Sequence, residues 1–152
     1  MAPKEIMKKL MYSLSVMFLL VGMTTMMSCK PEKKIIGKWK VTYSKGMDDD
    51  ASLKGEIWTF KDNGKFVGDI WGGESAVTCN YAFDKKTLTL SGGDLDYDGN
   101  YYKGNCTITL NVDNLSKKEM SLSGKVVDKY YDKEDRYYDT DSWNVSFELE
   151  KK

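Results

Sequence analysis

The chain has 152 residues, the length of one ordinary domain, and its 23 basic residues balance its 23 acidic ones. A net charge of zero argues against a protein that binds nucleic acid through a surplus of positive charge. Histidine is absent, which removes the usual general base, the His-paired nucleophiles and the commonest metal ligand. The 3 cysteines are too few for a Cys-only zinc site or a dense disulfide scaffold. We therefore expect a protein that is not an enzyme and that carries no cofactor.

The first 28 residues have the three parts of a secretory signal peptide. Lysines dominate the charge of the first nine residues, the segment 10–21 is largely apolar, and small or soft residues follow up to Ser28. The apolar run is shorter than the roughly 20 residues that a membrane-spanning helix needs. The pattern predicts a cleaved signal peptide over residues 1–28, with an uncleaved signal anchor as the alternative.

The residues at the end of this segment, Met26-Met27-Ser28-Cys29, resemble a bacterial lipobox. In lipoproteins of that type the cysteine thiol takes a diacylglyceryl group, and cleavage leaves the cysteine as the first residue. The resemblance implies lipidation of Cys29, followed by a polar tether, so that residues 29–34 link the lipid to the domain. Lys30 stands where the inner-membrane retention signal of these lipoproteins has Asp. The resemblance therefore implies an outer-membrane lipoprotein that faces the periplasm or the cell surface.

From residue 35 onward, apolar and polar residues alternate with period two, which is the pattern of half-buried β-strands. No comparable stretch shows helical periodicity. The alternation predicts eight strands, which lie over residues 38–44, 56–60, 66–71, 77–83, 87–90, 105–112, 120–126 and 144–149. The alternation over 56–60 does not identify which face is buried, because both faces carry an apolar side chain.

Short polar connections between these strands are typical of hairpins. Asn63-Gly64 supplies the positive φ angles of a tight turn, and Asp84-Lys85-Lys86 and the segment 114–118 are further short links. Strands joined in this way pair antiparallel, with one buried and one solvated face. We expect an all-β domain over residues 35–152, whose eight antiparallel strands can close into an up-and-down β-barrel without exposed sheet edges. A two-layer sandwich is the alternative.

The domain resembles the lipocalin-like, calycin-type domains of bacterial envelope lipoproteins, and this resemblance implies an eight-stranded antiparallel up-and-down β-barrel and not the sandwich. The likeness rests on the G-x-W motif Gly37-Lys38-Trp39 at the first strand and on the T-F-x-x-x-G-x-F hairpin of residues 59–66. In that group the Trp plugs one end of the barrel and the Gly permits close backbone approach, which implies these roles for Trp39 and Gly37. The Arg that stacks on this Trp late in the fold has no counterpart, because Arg136 falls in a predicted loop.

Cys79 and Cys106 lie on the apolar faces of two predicted strands that are separated by a third. The cell envelope permits a disulfide. Bridged Cβ atoms lie about 3.8 Å apart, whereas strands separated by a third lie about 9.6 Å apart. A bond therefore requires the intervening strand to end near Ser91, before it reaches them. The sequence leaves a disulfide and two buried thiols as alternatives.

The segment with Asp94, Asp96, Asp98 and Gly99 spells D-x-D-x-D-G, the first half of a calcium-binding loop. The twelfth position is Asn105, where a bidentate Glu is expected, and no helices flank the segment. We favour an acidic, glycine-terminated hairpin loop without a metal. These three carboxylates are the metal candidates of the chain.

The segment 128–141 is rich in tyrosine and acidic residues, and tyrosine is common at interfaces. It is either a lid or partner-binding loop, or a solvated β-ribbon with tyrosines packed across its strands. The segment from Met47 to Asp50 is predicted to be the first loop. Candidates for ligand or partner contact are Trp58, Trp71, Tyr130, Tyr131, Tyr137 and Tyr138.

The function that these features favour is binding. The first hypothesis is a lipocalin-like lipoprotein, anchored to the outer membrane through Cys29, that binds a small apolar or amphipathic ligand at the open end of its barrel. The alternative is a non-enzymatic module of the cell envelope that contacts a protein or a glycan. Neither hypothesis involves nucleic acid.

Overall fold

The structure is a computed structural model, and it describes residues 33–46, 52–73 and 75–152. The predicted signal peptide, Cys29 and the predicted first loop at Met47–Asp50 lie outside these residues. The described residues form nine strands and one short 3-10 turn, Gly93–Leu95. The strands are β1 (Gly37–Lys45), β2 (Ile57–Phe60), β3 (Lys65–Gly68), β4 (Val77–Asp84), β5 (Thr87–Ser91), β6 (Asp96–Asp98), β7 (Tyr102–Leu115), β8 (Glu119–Asp132) and β9 (Tyr137–Lys151).

Eight of these strands close a barrel. Consecutive strands pair antiparallel from β1 to β5, β5 then pairs with β7, and β7, β8 and β9 lead back to β1. The ladder between β1 and β9 runs from Trp39 opposite Lys151 to Lys45 opposite Ser146. The prediction of an all-β, eight-stranded antiparallel barrel is confirmed. The sandwich alternative is wrong, because a sandwich would leave the sheet open where β5 meets β7 or β9 meets β1.

The ninth strand, β6, lies where the sequence predicted only an acidic hairpin loop. It pairs with β7 outside the barrel closure, from Asp96 opposite Asn105 to Asp98 opposite Lys103. The reason is a difference in strand length. The last β7 residue that pairs with β5 is Ile108, so the preceding part of β7 has a free edge that β6 covers.

Aromatic side chains fill the middle of the barrel. The Trp58 ring packs edge-on against Phe66 and Phe147, with ring centroids 5.4 and 4.8 Å away. Phe60 contacts Phe66 and Tyr81, each at a centroid distance of 5.2 Å. All five side chains are buried in one continuous core. Burial of this much aromatic surface gives the barrel its main stabilisation.

Trp39 lies at one end of the barrel together with a cation that the sequence analysis missed. The indole is fully buried, and its N–H donates to the carbonyl of Ile35 over 2.8 Å. The Lys151 ammonium lies 4.3 Å from the Trp39 ring centroid and donates to the carbonyl of Ile36. Gly37, at φ 126°, makes room, because a Cβ there would lie 2.8 Å from the Lys151 nitrogen. No arginine lies over this Trp, and the cation that the sequence did not reveal there is Lys151.

At the opposite end, three barrel strands continue past the rim. β8 and β9 remain paired up to Asp132 and Tyr137, although β1 has left β9 at Ser146. We call this extension the ribbon, and it consists of β6 with residues 102–105 of β7, 128–132 of β8 and 137–141 of β9. The tyrosine-rich segment therefore takes the second of its two predicted forms, a β-ribbon extension.

Candidate binding surface

Exposed aromatic side chains are concentrated at the ribbon. Six large hydrophobic or aromatic side chains are exposed in the described part of the chain, and four of them lie in the ribbon or the turn beside it: Tyr101, Tyr102, Tyr137 and Tyr138. Tyr138 is 84% exposed. Exposed aromatic groups gathered in one place are typical of interaction surfaces. The ribbon is therefore the leading candidate for a binding surface.

The ribbon has two chemically different faces, because side chains alternate along each strand. The mouth face continues the inward-facing rows of the barrel, and it carries Tyr97, Tyr102, Gly104, Asp128, Tyr130, Asp132, Tyr137, Asp139 and Asp141. The outer face carries Asp96, Asp98, Lys103, Asn105, Lys129, Tyr131, Tyr138 and Thr140.

The Tyr97 side chain reaches across the mouth face from β6 to β8. Its hydroxyl donates to the Asp128 carboxylate, whose two oxygens are 3.1 and 3.2 Å away. Gly104 leaves space for the ring, because a Cβ there would lie 2.7 Å from the Tyr97 hydroxyl oxygen. Burial and the hydrogen bond to Asp128 raise the pKa of Tyr97 to about 12. This contact ties β6 to β8 across β7.

The mouth face is negatively charged. Desolvation and, to a smaller extent, the charges of Asp141 and Asp139 together raise the pKa of Tyr130 to about 12. The pKa of Tyr137 is raised by desolvation and then by Asp132 and Asp139. The mouth face of the ribbon has four carboxylates and no basic side chain. A cationic group would therefore be attracted to it.

The outer face has a tyrosine pair beside lysines. The rings of Tyr131 and Tyr138 lie 4.8 Å apart at an angle of 43°. They line a shallow groove of about 660 Å³ together with Lys103 and Lys129. The Lys103 ammonium also lies 3.5 Å from the Asp98 carboxylate, which partly neutralises the positive charge of Lys103. The outer face is thus aromatic and mixed in charge, unlike the mouth face.

The tip of the ribbon is held by polar contacts. The Asp132 carboxylate accepts hydrogen bonds from the backbone N–H groups of Glu134 and Asp135, at 2.9 and 3.0 Å. The Lys133 ammonium binds Asp98 and the carbonyl of Gly99. These contacts fix the β8–β9 turn against the turn that follows β6. The ribbon therefore presents its tyrosines on an ordered backbone.

The predicted contact tryptophans divide between the core and the surface. Trp58 is only 1% exposed, and its indole N–H donates to the carbonyl of Asp69 over 2.6 Å. The prediction that Trp58 contacts a ligand or partner is wrong, because Trp58 lies on the inward face of β2 and is buried in the core. Trp71 is 37% exposed, and its ring centroid lies 6.4 Å from that of Trp143. Only Trp71 of the two predicted tryptophans is placed to contact a ligand or partner.

The carboxylates of the D-x-D-x-D-G segment have separate partners. The Asp94 carboxylate accepts a hydrogen bond from the backbone N–H of Thr78 at 2.6 Å. Asp98 binds Lys133 and Lys103, and these lysines hold its pKa below the usual range. Within the described ranges, no three acidic or cysteine side chains are arranged to hold a metal ion. The segment forms the 3-10 turn and β6, and it is not folded as a calcium loop.

Cys79 and Cys106 are both buried free thiols in the structure. β5 ends at Ser91, opposite the neighbour of Cys79, as a bridge would require. The turn at Gly93 then packs against β4, since a Cβ on Gly93 would lie 3.0 Å from the Cys79 Cα. Desolvation raises the pKa of Cys79 to about 11 and that of Cys106 to about 12.

We expect both thiols to be unreactive in the folded protein at pH 8, because burial and the raised pKa values leave little thiolate. The measurement is a thiol titration without reductant on a chain that carries Cys29→Ser. No thiol should react before denaturation, and two should react after it. Failure to detect thiols after denaturation would instead show that the two cysteines are bridged.

Several ribbon residues lie outside the strands that the sequence predicts. The alternation predicts a strand that begins at Asn105, whereas β7 begins at Tyr102. The missed signal is the continued alternation of Tyr102, Gly104 and Cys106 on one face. Tyr97 gave no signal, because it occupies a strand of only three residues.

Comparisons with known proteins identify no relative of this chain. No protein-family model matches the chain, and no match is found among curated proteins or solved structures. The closed antiparallel barrel is compatible with a lipocalin-like fold. In the portion of the chain that the structure describes, no helix is both long and apolar enough to cross a membrane.

Proposed function

We propose that this protein is a non-enzymatic, lipocalin-like binding protein of the cell envelope that contacts a macromolecular partner through the ribbon. The observation that carries the proposal is the concentration of exposed tyrosines there. Tyrosine offers a large contact area with few rotatable bonds, so little conformational entropy is lost on binding. The barrel serves as the rigid support.

The order of the ribbon supports this function. A partner-binding surface gains affinity when its groups are already held in their bound positions. Asp132 and Lys133 fix the tip, and Tyr97 bonds across the strands to Asp128. Three strands of the ribbon continue from the barrel, whose packed aromatic core holds them in place. The exposed tyrosines therefore project from a surface that needs little rearrangement.

The membrane anchor is part of the proposal and rests on the sequence. The lipobox-like residues before Cys29 and the polar tether after it support lipidation and sorting to the outer membrane. The tether enters the domain beside Trp39, at the end of the barrel opposite the ribbon. A lipid attached to Cys29 would therefore leave the ribbon directed away from the anchor.

The test is photo-crosslinking in the cells that make the protein. A photoreactive phenylalanine replaces Tyr138 in one variant and Tyr43 in a matched control, which is 46% exposed on β1 of the barrel. We expect the Tyr138 variant alone to give an adduct of discrete mass. Adducts of equal yield from both positions, or none from Tyr138, would contradict a binding role for the ribbon.

A second candidate function is binding of a small amphipathic ligand at the barrel mouth. It is favoured by Trp71 and Trp143, whose rings lie 6.4 Å apart and are partly accessible. The Asp69 carboxylate holds this loop by accepting the N–H groups of Trp71 and Gly72 at 2.8 and 2.9 Å. A small molecule in the native mass spectrum that is absent from Trp71→Ala would favour this function over the first.

A further inference from the structure

β9 has an open edge where it enters the ribbon. β1 pairs with β9 only as far as Lys45 opposite Ser146. β8 continues along the other side of β9 to Tyr137. Among the residues that the structure describes, no strand pairs with residues 137–143 on the side of β9 that faces β1. Such an edge offers unpaired backbone groups to an added strand.

The hydrogen bonds near the end of β9 show which residues face each side. Backbone groups of successive residues point alternately to the two neighbouring strands. The N–H of Lys151 donates to Lys118, on the β8 side, and that of Lys152 donates to Lys38 at the start of β1. Even-numbered residues therefore face the β1 side. The β8–β9 ladder has no register shift, so this parity holds along the whole strand.

This parity places the backbone N–H and C=O groups of Tyr138, Thr140 and Ser142 on the open edge. Thr140 provides an independent check, because its N–H donates to the adjacent Asp139 carboxylate at 2.7 Å. An N–H that pointed toward β8 would instead bond to the backbone of that strand. Within the described ranges 33–46, 52–73 and 75–152, no strand covers this edge, and the Asp139 carboxylate caps the N–H of Thr140.

The side chains beside this edge define what an added strand would carry. On the mouth face they are Asp139 and Asp141, flanked by Tyr137 and Trp143, and Asp128 lies opposite Asp141 on β8. On the outer face they are the uncharged Tyr138, Thr140 and Ser142. Opposed side chains in an antiparallel pair lie about 4.5–5.5 Å apart, close enough for the two charges of a pair to interact. The added strand would place basic residues on one face and uncharged residues on the other.

We propose that the open edge of β9 receives an extended segment of a partner protein in which Lys or Arg alternates with uncharged residues. The proposal rests on the proposed function, because it names the partner class of the same ribbon. A second copy of this chain fits poorly. Antiparallel pairing of two β9 edges would bring Asp139 and Asp141 of one copy beside those of the other, and opposed like charges are destabilising.

The test measures binding of a labelled peptide to the lipidated protein in detergent by fluorescence anisotropy. The peptide has ten residues with Lys and Val in alternation, and a matched peptide has Glu in place of Lys. Thr140→Pro removes an N–H from the open edge, a position at which proline is tolerated in a strand. Thr140→Val is its control, since it removes the hydroxyl and keeps the N–H. A third variant combines Asp139→Asn with Asp141→Asn.

We expect the Kd of the lysine peptide to be at least about tenfold lower than that of the glutamate peptide. Thr140→Pro and the double asparagine variant should each lose about tenfold in affinity, and Thr140→Val should not. Circular dichroism shows whether the Thr140→Pro chain has folded. If it has not, the affinity of the double asparagine variant for the lysine peptide tests the proposal. Equal binding of the two peptides, or a dimer in sedimentation that Thr140→Pro abolishes, would overturn the proposal.

Crosslinking separates this proposal from the proposed function. If the Tyr138 adduct forms in cells with equal yield in a Thr140→Pro background, the ribbon binds its partner but the edge does not receive a strand. The proposed function then stands and the edge proposal falls. If the adduct is lost with Thr140→Pro and kept with Thr140→Val, both stand.

Discussion

Trp58→Ala should lower the free energy of unfolding by about 3–5 kcal/mol, the usual cost of removing a large buried aromatic side chain. The indole packs against Phe66 and Phe147 in the middle of the barrel. The substitution also removes the hydrogen bond to the Asp69 carbonyl. Domains of this size are stable by about 5–15 kcal/mol, so much of the total is lost. Urea unfolding, followed by circular dichroism, measures the change.

Trp71→Ala is the matched control, because it removes the same side chain from an exposed position. Its ring contacts Trp143 but stands outside the core, so we expect a cost of about 1 kcal/mol or less. A similar loss for the two variants would contradict the assignment of Trp58 to the core. It would also return Trp58 to the group of candidate contact residues.

The difficulty with Trp58 shows where local sequence patterns fail. Apolar side chains stand on both faces of β2, with Ile57 on one face and Trp58 and Phe60 on the other. A strand of four residues contains too few alternations to identify its buried face. The choice depends on Phe66 and Phe147, which meet Trp58 only after the barrel closes.

The strands of the barrel could be predicted because their information is local and repeated. Eight runs of alternation predict the eight strands, and short polar links such as Asn63-Gly64 predict antiparallel pairing. Both inferences use only neighbours in the chain. Closure joins distant strands, so the choice of a barrel over a sandwich depended on the resemblance of the Gly37-Lys38-Trp39 motif to lipocalin-like domains.

The ribbon could be predicted only in part, because it has no apolar row. The alternation predicts a strand that ends at Val126, where the apolar residues end, whereas β8 continues to Asp132. Apolar side chains inside the barrel fix the register between β7, β8 and β9. The same register then continues beyond the barrel into the ribbon, where the strands stay paired. Tyrosine and aspartate alternation is equally compatible with a loop, so the sequence left both forms open.

Gly124→Ala should lower the free energy of unfolding by about 1–3 kcal/mol, the usual cost of inserting atoms into a packed core. Gly124 lies in the inward-facing row of β8, between Leu122 and Val126. A Cβ there would lie 2.1 Å from the Thr109 carbonyl oxygen and 2.8 Å from the Leu110 Cα. Both are backbone atoms of β7, which cannot turn away as a flexible side chain can. Urea unfolding again measures the change.

Gly73→Ala is the control for the intrinsic effect of replacing glycine by alanine. A Cβ at Gly73 meets nothing within 4 Å, and its φ is not positive. Alanine reduces the conformational entropy of the unfolded chain. We therefore expect Gly73→Ala to leave the free energy of unfolding unchanged or to raise it by about 0.4–1 kcal/mol. The difference between the two variants isolates the close approach of β8 to β7. If Gly124→Ala were as stable as Gly73→Ala, the two strands would lie farther apart than the structure places them, and the base from which the ribbon projects would be looser.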